Sequence, residues 1–131
     1  MLGTRTLMNV LIVESDVALA DLWRRHLERS GMVVRVATTQ EEATQQITED
    51  EPGIIILDLV LGDGSALAVS DYASYRCPLA QIIFVTNTSF FSDGSIFAHA
   101  QNACAFVQSQ TPPEDLTAMV EHYCQRRPQS A

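Results

Sequence analysis

The chain has 131 residues, 47% of them hydrophobic and 18% charged, with 16 acidic against 8 basic side chains and a formal net charge of −8. That length suits one domain that buries its own core and leaves no room for a separate effector domain, and the acidity argues against nucleic acid as a direct partner. Three Cys, at 77, 104 and 124, show no CxxC spacing, no apolar stretch reaches a membrane span, and residues 1–13 lack a secretory pattern, so a cytoplasmic protein in a reducing setting is expected.

Taken along the chain, Val10-Leu11-Ile12-Val13 is an apolar run without polar alternation that ends in Glu14. Such runs read as parallel strands buried on both faces. From Asp16 to Ser30, Leu19, Leu22, Trp23, His26 and Leu27 fall at helical spacing, and Gly31 stands where a helix ends in a residue of positive φ. Val33, Val34 and Val36 predict a short second strand, and Thr38 to Thr48 a polar second helix with Ala43 and Ile47 on one face. Pro52-Gly53 breaks the chain before a third strand, Ile54-Ile55-Ile56-Leu57, which ends in Asp58.

Gly62-Asp63-Gly64-Ser65 predicts a turn in which Asp63 or Ser65 caps a third helix running to about Tyr75. Pro78 precedes a fourth strand over 81–86, ending in Thr86, and a second Asp-Gly-Ser at 93–95 predicts a helix with Ile96 and Phe97 on its apolar side. Ala105-Phe106-Val107 reads as a fifth strand. Pro112-Pro113-Glu114-Asp115 opens a last helix, with Pro at the first turn and acids at the positive end of the dipole. Five alternating units predict a doubly wound (βα)5 α/β domain, and in such a sheet Glu14, Asp58 and Thr86 converge on the carboxyl edge, where ligands bind.

The order, length and strand ends resemble the receiver domain of two-component response regulators over residues 8 to about 124. The match rests on the acids after the first strand, on Ile54 to Asp58 followed by Leu59-Val60-Leu61-Gly62-Asp63-Gly64, on Thr86 after the fourth strand and on Phe106 in the fifth. The resemblance implies a flavodoxin-like sandwich with strand order 2-1-3-4-5, residues 1–7 and 125–131 being an extension and a tail. It also implies that Asp58 is the phosphoacceptor and that Thr86 and Phe106 are the switch pair. Mg2+ is the implied cofactor, held by Glu14, Ser15, Asp16, Asp58 and the carbonyl of Val60, since magnesium favours oxygen ligands.

Two departures from the family pattern bear on the chemistry. The acidic pair reads Glu14-Ser15, with Asp16 one place later, and Ser109 stands at the position of the family Lys, followed by Gln110 instead of Pro. Weak or absent magnesium binding is expected, and the missing cation removes about 4 kcal/mol at ~4 Å and an effective dielectric near 20, less in a wet site.

Enzyme readings fail at named residues. A haloacid-dehalogenase-type phosphatase needs a second acid two places after Asp58, where Val60 stands; Gly62-Asp63-Gly64 has Leu67 where a dinucleotide fingerprint needs its third Gly. All five Phe lie between 84 and 106, and Phe90, Phe91 and Phe97 are candidates for a partner surface beside the switch. The expectation is a signalling domain, not an enzyme. It would accept a phosphoryl group from a histidine kinase or phosphotransfer protein and act on a downstream protein partner, with a homodimer also open. The alternative is a phosphorylation-independent pseudo-receiver, an interaction or dimerisation module.

Overall fold

The computed structural model describes residues 9–60, 64–86 and 103–125. Within them the strands are β1 (Asn9–Val13), β2 (Val33–Ala37), β3 (Ile54–Asp58), β4 (Gln81–Thr86) and β5 (Ala103–Gln108), and the helices α1 (Val17–Arg29), α2 (Gln40–Glu49), α3 (Ala66–Arg76) and α4 (Pro113–Gln125). All five strands are parallel, in the order β2-β1-β3-β4-β5. The predicted helix at 93–97 and the cluster Phe90, Phe91 and Phe97 lie outside the described residues.

The continuous apolar runs are buried because helices cover both faces of the sheet, and alternation along each strand divides the core into two layers. Leu11, Val13, Ile55, Leu57, Ile82 and Phe84 pack toward Ala43 and Ile47 of α2 and Val69 and Ala73 of α3. Val10, Ile12, Ile54, Ile56, Ile83 and Val85 pack toward Ala20, Trp23 and Leu27 of α1 and Leu116 and Val120 of α4. Each such aliphatic side chain contributes about 1.5–3 kcal/mol when fully buried.

Local chemistry sets the helix ends. The Asp16 carboxylate caps α1 by accepting from the N–H groups of Ala18 (3.1 Å) and Leu19 (3.2 Å). At its other end Gly31 takes φ +92°, its N–H donates to the Glu28 carbonyl and the Met32 N–H to the Leu27 carbonyl, a Schellman motif. The core face of α1 is Ala20, Trp23 and Leu27; Leu19, Leu22 and His26 are half-buried at its margins. Thr39 caps α2, and Glu42 reaches back to accept from the Thr38 N–H at 2.8 Å. Of the two cap candidates for α3, Ser65 takes the role, accepting from the Ala68 N–H at 3.2 Å.

One irregularity escaped the sequence pattern. Ile82 pairs with Ala103 and Ile83 with Ala105, so Cys104 is the extra residue of a bulge in β5. The Tyr123 hydroxyl of α4 donates to the Cys104 carbonyl at 3.0 Å, supplying a partner at the interruption. Burial raises the thiols of Cys77 and Cys104, the latter to about 11, so both stay protonated at neutral pH and are poor nucleophiles. No helix among the described residues is long and apolar enough to cross a membrane.

Candidate functional site

The strand order reverses between β1 and β3: the chain steps from β1 outward to β2, then back across to β3. Crossovers leave to opposite sides there and open a crevice at the carboxyl ends. The residues at those two ends are Glu14 and Asp58. Glu14 extends the ladder beyond β1 through its N–H to the Ala37 carbonyl (3.0 Å) and is only 3% exposed.

Glu14 and Asp58 stand at the neighbouring carboxyl ends of β1 and β3. Desolvation by burial, helped by hydrogen bonding and like charge from Asp58 and by the charge of Asp16, pushes Glu14 up from 4.5 to about 8. The opposing influence is the Asp16 N–H, which donates to Glu14 Oε2 at 3.0 Å. At neutral pH the Glu14 carboxyl therefore favours its protonated form. Asp58 is half-exposed at the crevice mouth, and its Oδ1 also accepts from the Val60 N–H at 3.0 Å.

The remaining candidates lie on β4, on β5 and at the start of α1. Thr86 ends β4 and is 6% exposed. Its carbonyl accepts from the Ser109 N–H at 2.8 Å, so Ser109 sits directly beside the β4 end. Phe106 is half-buried and packs edge-on against buried Phe84, ring centroids 5.4 Å apart at 88°. Ser15 is half-buried between Glu14 and the cap. Asp16 is exposed and engaged by the first turn of α1 through Oδ1. Val17 (65% exposed), Val60 (60%) and Leu67 (38%) are exposed apolar side chains at the start of α1, after β3 and in the first turn of α3.

The donor set fits a hard cation chemically. The buried carboxyl of Glu14, the half-exposed carboxyl of Asp58 and the nearby backbone carbonyl of Val60 are oxygen donors of the kind a hard divalent ion takes. Among the described residues, no three His, Cys, Asp or Glu side chains are grouped so as to hold a metal ion. Asp16 turning to the helix cap accounts for the third acid.

Sequence reasoning missed Gln40, whose Oε1 accepts from the Ser65 N–H at 2.7 Å, tying the start of α2 to the start of α3. The two residues lie 25 apart, and a Gln opening a polar helix carries no signal of such a contact.

A family model described as the response regulator receiver domain matches residues 10–121. The transcriptional regulatory protein RstA of Escherichia coli (strain K12) is 27% identical over 127 residues, covering 94% of this chain and 51% of RstA. The DNA-binding transcriptional regulator NtrC of Proteus hauseri is 22% identical over 128 residues, 94% of this chain and 27% of NtrC. The chain thus spans about half the length of the first curated relative and about a quarter of the second. Among solved structures, a CheY-like receiver domain protein from Methanospirillum hungatei JF-1 superposes with a TM-score of 0.85 at 24% identity, covering 93% of this chain and 97% of that one. The receiver domain of NtrX from Brucella abortus gives 0.78 at 21%, covering 88% and 98%. At these identities the structural likeness speaks for the fold alone.

Proposed function

Because the chain belongs to the response regulator receiver domain family of two-component systems, we propose that it accepts a phosphoryl group on Asp58 and signals through protein contacts. The observation that carries this reading is the placement of Glu14 and Asp58 at the carboxyl ends of adjacent β1 and β3, where the strand order reverses and half-exposed Asp58 accepts from the Val60 N–H at 3.0 Å. The donor is a phosphohistidine on a histidine kinase or phosphotransfer protein. An Asp58 oxygen forms the new P–O bond as the donor's P–N bond breaks, and the departing imidazole nitrogen keeps the bonding pair and takes up a proton.

Receiver domains are signalling modules, and the chemistry assigned to Asp58 is that of an acceptor, not of a turnover enzyme. Magnesium, when bound to Glu14, Asp58 and the Val60 carbonyl, supplies charge neutralisation of the phosphoryl oxygens. For Glu14 to take part it must lose its proton. Thr86 is assigned the role of bonding a phosphoryl oxygen, and Phe106 of following it. The exposed apolar side chains of Val17, Val60 and Leu67 support a protein donor. We assign the output contact to the surface around Phe90, Phe91 and Phe97, the functional unit to residues 8–124, and the protein to the cytoplasm.

The test is exposure to a small-molecule phosphodonor with magnesium. The expected result is an intact-mass increase of one phosphoryl group that Asp58→Asn abolishes. Absence of the increase at every magnesium concentration would establish the second reading, a phosphorylation-independent pseudo-receiver. What favours that reading is the engagement of Asp16 by the helix cap, with hydroxyls at Ser15 and Ser109 where charges are usual.

Restoring both charges should restore the chemistry. In Ser15→Asp with Ser109→Lys, the added carboxylate favours the cation and the added ammonium the anionic phosphoryl mimic, and even half of the ~4 kcal/mol available at ~4 Å and an effective dielectric near 20 exceeds a tenfold change. We expect at least tenfold tighter magnesium binding, by titration, and slower loss of beryllofluoride. An unchanged titration would sink the assignment of these two positions.

A further inference from the structure

Phe106 lies beside Phe84 only because β5 holds one residue more than the strand it pairs with. Ile82 pairs with Ala103 and Ile83 with Ala105, and from there the ladder runs in step, Phe84 with Phe106, Val85 with Val107 and Thr86 with Gln108. Successive residues of a regular strand point to opposite faces, yet Cys104 and Ala105 both pack toward the layer beneath α1 and α4, while Phe106 packs toward the other. Counted from Ala103 without the extra residue, Cys104 would meet Ile83, Ala105 would meet Phe84 and Phe106 would meet Val85. Phe106 would then fall in the layer beneath α1 and α4, because a slip of one residue exchanges the faces.

The pattern of side chains does not choose between these registers. Ile82 to Val85 are fully buried and Cys104 to Val107 are all apolar, so neither strand presents a polar face to be kept out of the core. What marks Cys104 as the extra residue is a polar contact. The Tyr123 hydroxyl donates to the Cys104 carbonyl at 3.0 Å, and the Tyr123 carbonyl accepts from Gln81 Nε2 at 3.0 Å. One residue in the last turn of α4 is thus bonded to the first residue of β4 and to the bulge of β5, and its half-buried side chain packs on the layer beneath α1 and α4.

We infer that Tyr123 is a positioning residue for Phe106: its hydroxyl pins the bulge at Cys104, and the pinned bulge sets the register that places Phe106 in the layer of Phe84. The path from Cys104 to Phe106 is two residues of one strand. The part this gives Tyr123 in signalling rests on the reading of Phe106 as the aromatic that follows Thr86, whereas the hold on the register does not. A side chain at the amino end of the sheet is thereby given a part in a switch whose acceptor, Asp58, lies at the carboxyl end.

Amide hydrogen exchange separates the pin from simple stability. Tyr123→Phe keeps the ring and removes the hydroxyl, and it is compared with the wild type without phosphodonor, at a temperature where both are fully folded. We expect the amides of residues 105–109 to exchange roughly fivefold to tenfold faster, the factor that one net hydrogen bond makes in an equilibrium, while those of β1 and β3 keep their wild-type rates. Gln81→Leu removes the other bond to the same turn of α4 and leaves the Cys104 carbonyl its donor, so residues 105–109 should exchange as in the wild type. Faster exchange that stops at Cys104, that rises equally in every strand, or that Gln81→Leu reproduces would overturn the pin. Beryllofluoride with magnesium supplies the separate arm: it should shift the ring resonances of Phe106 in the wild type. No shift there would overturn the part in the switch while the exchange result still decides the register.

Discussion

Glu14→Gln, measured with a chelator present, is expected to raise the thermal midpoint at pH 8 by roughly 5–10 °C while leaving it unchanged at pH 5, the shift that about 2 kcal/mol makes in a domain of this size. Glu14 ionises near 4.5 in the unfolded chain and near 8 in the fold. Between those values the native state holds a proton that the unfolded state has released, so the stability associated with the group is complete below about pH 4.5 and is lost as pH climbs through 8. Gln has no proton to lose, yet its amide retains a donor toward Asp58 and an oxygen for the Asp16 N–H. The wild type should therefore lose stability steadily from pH 5 to pH 8, and the variant should not. Parallel curves for the two proteins would show that the proton does not reside on Glu14. Magnesium makes a second arm: on the proposed ligation the ion takes the place of the proton, so it should offset the wild type's loss of stability above pH 7 and have much less effect on the variant.

Phe84→Ala should cost about 3–5 kcal/mol, a large share of the 5–15 kcal/mol that holds a typical domain together. Phe84 is fully buried in the central part of the sheet, in the layer facing α2 and α3, and its ring receives the edge of Phe106. The void cannot close easily, because the strands on both sides are themselves paired along their length. Urea unfolding is the measurement. A cycle with Phe106→Ala should return a coupling of about 0.5–1.5 kcal/mol for the edge-on pair. A cost below about 1 kcal/mol for Phe84→Ala would mean that the ring is not packed as described.

Much of the fold was legible because its determinants are local. Ile54 to Asp58 and Gln81 to Thr86 carry apolar runs long enough to name a buried strand, and Asp16, Ser65 and Gly31 mark helix ends by chemistry that acts within four residues. The convergence of Glu14, Asp58 and Thr86 followed from the sheet rule alone. What stayed hidden depends on partners distant in sequence. The proton on Glu14 requires Asp58, 44 positions on, together with near-complete burial. The bulge at Cys104 is a matter of register with β4, which a run of small and apolar residues does not disclose. Of the α1 residues at helical spacing, Trp23 and Leu27 are fully buried and Leu19 packs half-buried against the same core, a grading of depth that spacing does not disclose.

The two-layered core gives the carboxyl edge a sidedness. Glu14 follows Val10 and Ile12, and Asp58 follows Ile54 and Ile56, on rows that belong to the layer beneath α1 and α4. Thr86 follows Ile82 and Phe84, and Phe106 joins them, on rows that belong to the layer beneath α2 and α3. The acids and the Thr86–Phe106 pair therefore finish columns on opposite sides of one partition. On the proposed function, a group added to Asp58 would be made over one layer and sensed over the other, so a protein reading that state would not compete for the face on which a phosphodonor docks.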